Sequence, residues 1–230
     1  MKNYLIILLI LVVGCRPNLN IETTPLTYGL KGNIISFSEE KFTAFYNDKL
    51  DFIIDTTNPY YILTNKIFND KGIISKIEYF DKDSTLLSKV IYQSRNNPYS
   101  IQYNKNDFKN SYSRLISFED SISVIETVDS KTNVVTSKSW TKIQNGRIDW
   151  MKSLGLKDSL YSEWNYKRND KGLETEIKTK FGYDPNQDYR TVKIKYLEFD
   201  EVSNWTKRIE FNPDEGNSCM VIIRSIKYKE

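Results

Sequence analysis

The side chains in this chain that could do chemistry each sit in a setting that limits them. Glu174 and Glu176 are two residues apart in an alternating segment, and paired carboxylates can hydrolyse glycosides. That spacing puts both on one strand face, beside Lys178 and Lys180, which reads as a solvated charged surface. Asp81-Lys82-Asp83 and Asp214-Glu215-Gly216-Asn217 have the oxygen density of calcium loops, but neither has the spacing or the closing bidentate glutamate of an EF-hand. Both read as hairpin turns. Cys219 precedes Met220-Val221-Ile222-Ile223 and reads as a small buried hydrophobe. The chain has no histidine, which removes the commonest general base and metal ligand and every Ser-His or Cys-His pair. Carboxylate pairs and Ser-Lys chemistry stay open in principle. No phosphate loop, dinucleotide fingerprint, G-x-S-x-G elbow or zinc spacing occurs. The expectation is a protein that is not an enzyme, with no catalytic residue, metal or cofactor.

Cys15 is the exception, because its surroundings name a modification. Lys2 supplies a positive start, Tyr4 to Val13 an apolar run too short to span a bilayer, and Gly14 leaves a peptidase access to the next bond. Val12-Val13-Gly14-Cys15 resembles the lipobox of bacterial lipoproteins. The resemblance implies a diacylglycerol thioether on Cys15 and cleavage before it. Residues 1–14 would then be the signal peptide, 15–27 the lipidated cysteine and a tether, and 28–230 the domain. Two or three acyl chains, at about 0.8 kcal/mol per buried methylene, make such an anchor effectively permanent. From Arg16 to about Thr24 the chain is rich in Asn, Thr and Pro, as a tether requires. Arg16 is not the aspartate that retains some lipoproteins in the inner membrane, and no acidic cluster follows Cys15 to direct surface display. By that resemblance the protein is an outer-membrane lipoprotein facing the periplasm, and its first partner is the membrane that holds the anchor.

With 33 basic and 30 acidic residues the charge is nearly balanced, and nothing calls for nucleic acid. A lipidated Cys15 leaves Cys219 without a partner, so there is no disulfide framework. Aromatic residues make up 13% of the chain, and most of them suit cross-strand packing. Trp140, Trp150, Trp164 and Trp205 are the rings to inspect as binding platforms.

The elements that must position these residues are strands. In Leu173 to Tyr183, apolar residues and threonines at odd positions alternate with Glu174, Glu176, Lys178 and Lys180, the pattern of a half-buried strand. Val192, Ile194 and Tyr196 alternate with Lys193 and Lys195, and Trp205, Ile209 and Phe211 with Thr206, Arg208 and Glu210. Turn clusters lead with Asn69, Asp81, Asn169, Asp184, Asp200 and Asn212. Asp170, Asp184, Asp200 and Asp214 are 14, 16 and 14 residues apart, one strand plus one turn, so consecutive strands should pair as antiparallel hairpins. Between Ser94 and Lys157 the spacing blurs and turn glycines are scarce. That stretch fits longer loops, or one short helix near Trp150 to Leu160.

Phe68-Asn69-Asp70-Lys71-Gly72 followed by a strand is echoed by Arg168-Asn169-Asp170-Lys171-Gly172 and its strand. Phe199-Asp200-Glu201-Val202-Ser203-Asn204-Trp205 has the aromatic-Asp-x-x-Gly-Asn form with Ser203 for glycine. These units resemble the degenerate YD-type, RHS-like β-hairpin repeats of Bacteroidetes lipoproteins, and Gly29 to Ser36 resembles the first strand of such proteins. The fold expected is an all-β antiparallel meander of about a dozen strands, curled into a barrel-like, clamshell or two-layer sheet because no amphipathic helix is there to cover it. A lipid-facing membrane barrel is disfavoured by the regular charges. The leading functional expectation is a non-enzymatic envelope lipoprotein that binds a protein or cell-wall component. A lipid or lipoprotein carrier with an open-barrel cavity lined by Ile, Phe and Tyr is the alternative, and an immunity protein against a periplasm-delivered toxin is a third.

Overall fold

The computed structural model describes residues 24–46, 52–55, 62–93, 99–156, 161–184 and 186–230. A short 3-10 turn, Pro25–Tyr28, precedes β1 (Ile34–Tyr46), β2 (Phe52–Ile54), β3 (Ile62–Phe68), β4 (Ile74–Phe80) and β5 (Leu86–Tyr92). Next come β6 (Ser100–Asn104), β7 (Lys109–Glu119), β8 (Ile122–Asp129), β9 (Val135–Gln144) and β10 (Arg147–Gly155). The last five are β11 (Tyr161–Arg168), β12 (Glu174–Gly182), β13 (Arg190–Phe199), β14 (Trp205–Phe211) and β15 (Ser218–Tyr228). Each strand from β3 to β15 pairs antiparallel with its neighbour in sequence. β1 pairs with β3 on one side and with β15 on the other, so fourteen strands close into a barrel. The small β2 pairs with the end of β1. The expected all-β antiparallel meander is thus found, and of its possible shapes the barrel is the one adopted.

Five of the hairpins share one turn. Asn69, Asp81, Asn104, Asn169 and Asp200 each accept two backbone N–H bonds on the side-chain oxygen, from the residues two and four positions on. The third residue after each lead has positive φ: Gly72, Ser84, Asp107, Gly172 and Ser203. An Asx side chain substitutes for the backbone partner that a tight turn lacks, which is why the lead is always Asn or Asp. Asp81-Lys82-Asp83 is therefore a hairpin turn, as expected.

The stretch from Ser94 to Lys157 departs from its reading. Its described residues carry strands β6 to β10, and Arg147–Gly155 is a strand where a helix near Trp150 was an option. A bulge between Ile148 and Trp150 explains the misleading pattern. The extra residue puts Ile148 and Met151 on one face three positions apart, which imitates helical spacing. Residues 157–160 lie outside the described residues.

All strand starts of β4, β6, β8, β10, β12 and β14 lie at the end where β1 begins, and the segment from Thr24 to Asn33 closes that end. Tyr28 packs edge-on against Phe37 at 5.2 Å and Phe68 at 6.4 Å between ring centres. Leu30, Ile34, Ile74 and Ile77 complete this core, with Ile226 and Tyr228 packed against it. On the other side of the same opening, Leu26 lies against Gly146, and Arg147 donates to the Gly172 carbonyl beneath Gly29. Residues 25–27, which the sequence reading gives to the tether, are thus the start of this plug. Asn204 clasps it: its Oδ1 accepts from Lys31 N at 2.7 Å, and its Nδ2 donates to Lys31 O at 2.9 Å and to the Tyr228 hydroxyl at 2.7 Å.

Asn204 is 1% exposed, so losing its amide strands several buried partners. Asn204→Ala should lower unfolding free energy by about 2–3 kcal/mol. It should also speed hydrogen exchange at Leu30 and Lys31 more than in the far hairpins, as followed by exchange mass spectrometry.

Candidate functional site

Strand alternation and register fix which side chains face inward. Phe37, Glu39, Lys41 and Thr43 of β1 stand opposite Ile226, Arg224, Ile222 and Met220 of β15. Tyr28 touches Phe37 from inside the plugged end, so this is the inner face. Following the register, Ser88, Gln102, Ser111, Ser113, Thr127, Ser139, Thr141 and Ser153 line the inner wall from β5 to β10, interspersed with Val90, Leu115, Ile125 and Met151. Hydroxyls bond to one another across strands, Ser113 to Thr127 at 3.3 Å and Ser139 to Ser153 at 3.2 Å. Eight strands make a barrel that side chains can fill, and sixteen leave an aqueous channel. A fourteen-strand circumference is wider than one that such small side chains fill; these residues stay partly exposed, whereas Ser100 and Ser123 on the same face are buried. The opposite wall is apolar, with Trp164, Ile177, Val192, Ile194 and Ile222 inward.

Towards the plug this apolar wall gives way to charge. Glu39 accepts from Arg224 through Oε1, at 2.6 and 3.2 Å, and from Lys66 Nζ through Oε2 at 2.7 Å. Arg208 meets Glu174 Oε2 at 3.2 Å and also bonds Glu210. Arg168 Nη2 lies 3.4 Å from Glu174 Oε1. The guanidinium carbons of Arg224 and Arg208 lie 3.5 and 4.4 Å from the centre of the Trp205 ring. Burial alone would raise the Glu39 carboxyl, but Lys66 and Arg224 outweigh it and hold the group far below the ordinary 4.5. Burial pushes the Tyr166 hydroxyl up to about 12, with Glu174 and Glu210 adding to the effect, so that ring is a neutral donor.

Several expectations are rearranged here. Glu174 and Glu176 do not share a face. A bulge opposite Lys167 and Arg168 turns Glu174 inward to the arginines, while Glu176 stays outside and pairs with Lys193. In β14 the alternation is right but Arg208 and Glu210, read as solvent-facing, point into the barrel. Ile209 and Phe211 lie on its outer face with Ala44, Cys219 and Val221, in a second buried cluster. Burial raises the Cys219 thiol, in keeping with a packing role. Of the tryptophans, Trp205 is buried between guanidinium groups. Trp140 and Trp150 are half-buried on the outer wall, with Lys138 and Lys152 over the Trp140 ring. Asp214 and Glu215 belong to a 3-10 turn capped by Asn212, and Glu215 pairs with Arg190. Val12, Val13, Gly14 and Cys15 lie outside the described residues. The inward charges Glu39, Lys66 and Arg224 are absent from the sequence reading. Their one signal is a charge at the inward positions of β1, β3 and β15.

Both ends carry exposed apolar side chains, at the plugged end Leu26, Phe199 and Val202 with 43–47% exposure. At the end opposite the plug, large apolar side chains stand at or beside nearly every hairpin: Phe45, Ile53, Leu87, Phe108, Val134, Leu156, Phe181 and Tyr183, between 48% and 77% exposed. Nothing among the described residues crosses that mouth. The outer wall between the ends is charged, with Glu78 bonded to Asn65 and Lys76, Arg114 to Glu126, and Lys193 to Glu176. Lysine or arginine on a lipid-facing wall would cost about 2–4 kcal/mol each near the bilayer midplane.

No known protein family and no curated protein matches this sequence. Among solved structures, a porin-like protein from Bacteroides uniformis is similar over 89% of this chain and 99% of its own, at 7% identity and a TM-score of 0.46. A LolA superfamily protein from Nitrosomonas europaea is similar over 92% of this chain and 95% of its own, at 10% identity and a TM-score of 0.28.

Because Glu39 compensates two buried cations, Glu39→Gln should cost about 3–5 kcal/mol at pH 7 in urea unfolding. Its native carboxyl is depressed, so the stabilisation is complete above the unfolded value of 4.5 and is lost as pH falls towards the native one. The gap between wild type and Glu39→Gln should therefore be constant from pH 7 to 5 and shrink below that.

Proposed function

We propose that this protein is a non-enzymatic lipoprotein of the cell envelope whose barrel holds an amphipathic, acyl-chain-bearing ligand. The observation that carries the reading is a barrel plugged at one end by the chain's own N-terminal segment, with an apolar rim and no described segment across the other end. A one-ended hollow with one hydroxyl wall and one apolar wall is suited to storage or transfer, since conduction needs two mouths. The lining differs from the one expected of a carrier by its serines and threonines, which give a polar edge or hydration water a place opposite the acyl chain.

The anchor gives this arrangement a direction. The chain enters the barrel at the plugged end, and Arg16 to Thr24 can extend at most about 30 Å. A lipid on Cys15 would hold the plugged end towards the outer membrane and turn the mouth into the periplasm. The apolar rim then meets a soluble or opposing partner that delivers or receives the ligand. The charged outer wall fits a barrel surrounded by water.

Every strand pairing uses residues after Thr24, so the unacylated mature chain with Cys15→Ser retains the whole barrel. A naphthylamine fluorophore should bind it saturably and be displaced by monoacyl amphiphiles. Ser139→Trp, which fills the lumen, should weaken binding at least tenfold, whereas Lys193→Trp on the outer wall should leave it unchanged. Absence of saturable binding, or equal loss in both variants, would contradict the proposal.

A further inference from the structure

The charged cluster beside the plug pairs most of its acceptors and leaves three guanidinium donors unpaired. Both oxygens of Glu39 and both of Glu174 are bonded, and Glu210 bonds Arg208. Against them, Arg168 Nε, Arg208 Nε and Arg224 Nη1 are buried and have no hydrogen-bond partner among the described residues. Arg224 is 5% exposed. Lys66, Arg168, Arg208 and Arg224 outnumber the carboxylates of Glu39, Glu174 and Glu210 by one. Buried N–H groups are rarely left unpaired, and guanidinium forks match planar or tetrahedral oxyanions better than any other side chain. The group that suits these donors is an acceptor and an anion.

From this we infer that the floor of the lumen is a headgroup site for a carboxylate or phosphate, read by Arg168, Arg208 and Arg224 and held in register by Trp205. The inference rests on the lumen reading above and adds the charge of the ligand. On the same wall, Tyr166, Ile194 and Ile222 lie further along their strands towards the mouth. A ligand bound head-down would thus lay its chain along the apolar wall with its tail under the rim. The two rings that frame the floor, Tyr28 and Trp205, close it from the plug side, where they border a small cavity with Glu174 and Tyr196.

The test compares three probes with one tail on the unacylated chain: 1-oleoyl-lysophosphatidic acid, oleate and neutral 1-oleoylglycerol, each below its aggregation limit. At least one anionic probe should bind ten times more tightly than the neutral one, and whichever of phosphate and carboxylate binds better identifies the head. Arg208→Gln, checked for folding by its melting curve, should reduce that preference while leaving 1-oleoylglycerol unchanged. If that variant does not fold, the three-probe comparison on wild type decides the matter. Equal binding of all three would overturn the headgroup site and leave the lumen reading standing. Binding of none would overturn the lumen reading itself.

Discussion

The seam between β1 and β15 is the interaction on which the rest of the molecule depends. It joins the first and last strands in continuous antiparallel register from Ser36 with Lys227 to Phe45 with Ser218. At its middle Glu39 and Arg224, 185 residues apart in sequence, form a buried two-point ion pair. Without this closure the meander would have two free edges, open to pairing with another chain. With it, the sheet has a fixed circumference, an inside and an outside. The same pairing sets the charged floor, because Arg224 meets Glu39 only when the seam is shut, while Lys66 reaches the same carboxylate from β3. Closing so long a loop is entropically demanding, and folding should be correspondingly slow.

The fold's circumference then determines the chemistry. A barrel this wide is not filled by serines and threonines along its β5 to β10 wall, where most inward side chains stay partly exposed. The hydrophobic burial that stabilises the domain is concentrated at the plugged end, around Tyr28, Phe37 and Phe68, and in the outer cluster of Ile209 and Val221. Placing the plug and the charged floor at one end, and the exposed apolar rim at the other, gives the molecule a polarity that a transmembrane channel of the same architecture would not need.

How much of this was legible in the sequence varied with the chemistry of the inner wall. From Leu173 to Phe211 the alternation is strong and each turn has an Asn, Asp or Gly signature, so strands and hairpins could be read directly. Between residues 99 and 156 both cues fail for one reason each. Turns there reach positive φ with Asp107, Asp120, Ser121, Asn133 and Asn145, so glycine is not needed except at Gly146. The inner wall there is rich in Ser and Thr, so hydrophobic periodicity weakens and outward residues such as Trp140 carry much of the apolar signal. Inside and outside were also interchanged at β14, because a charged face is normally a solvated one, and here it lines a lumen. The Asx-led repeat was visible. That the repeat closes on itself was not, since closure is set by how many strands the sheet contains and by a contact between the two ends of the chain.

The most direct test of the central claim, a solvent-accessible lumen closed at one end, is the thiol reactivity of the inner wall. Ser139→Cys and Lys193→Cys, in a chain with Cys15→Ser and Cys219→Ala, would be titrated with a small charged methanethiosulfonate reagent. The account predicts that the inner cysteine reacts within about tenfold of the outer one, since it faces water through the mouth. Inner reactivity suppressed by several orders of magnitude would mean a packed interior, and would contradict it.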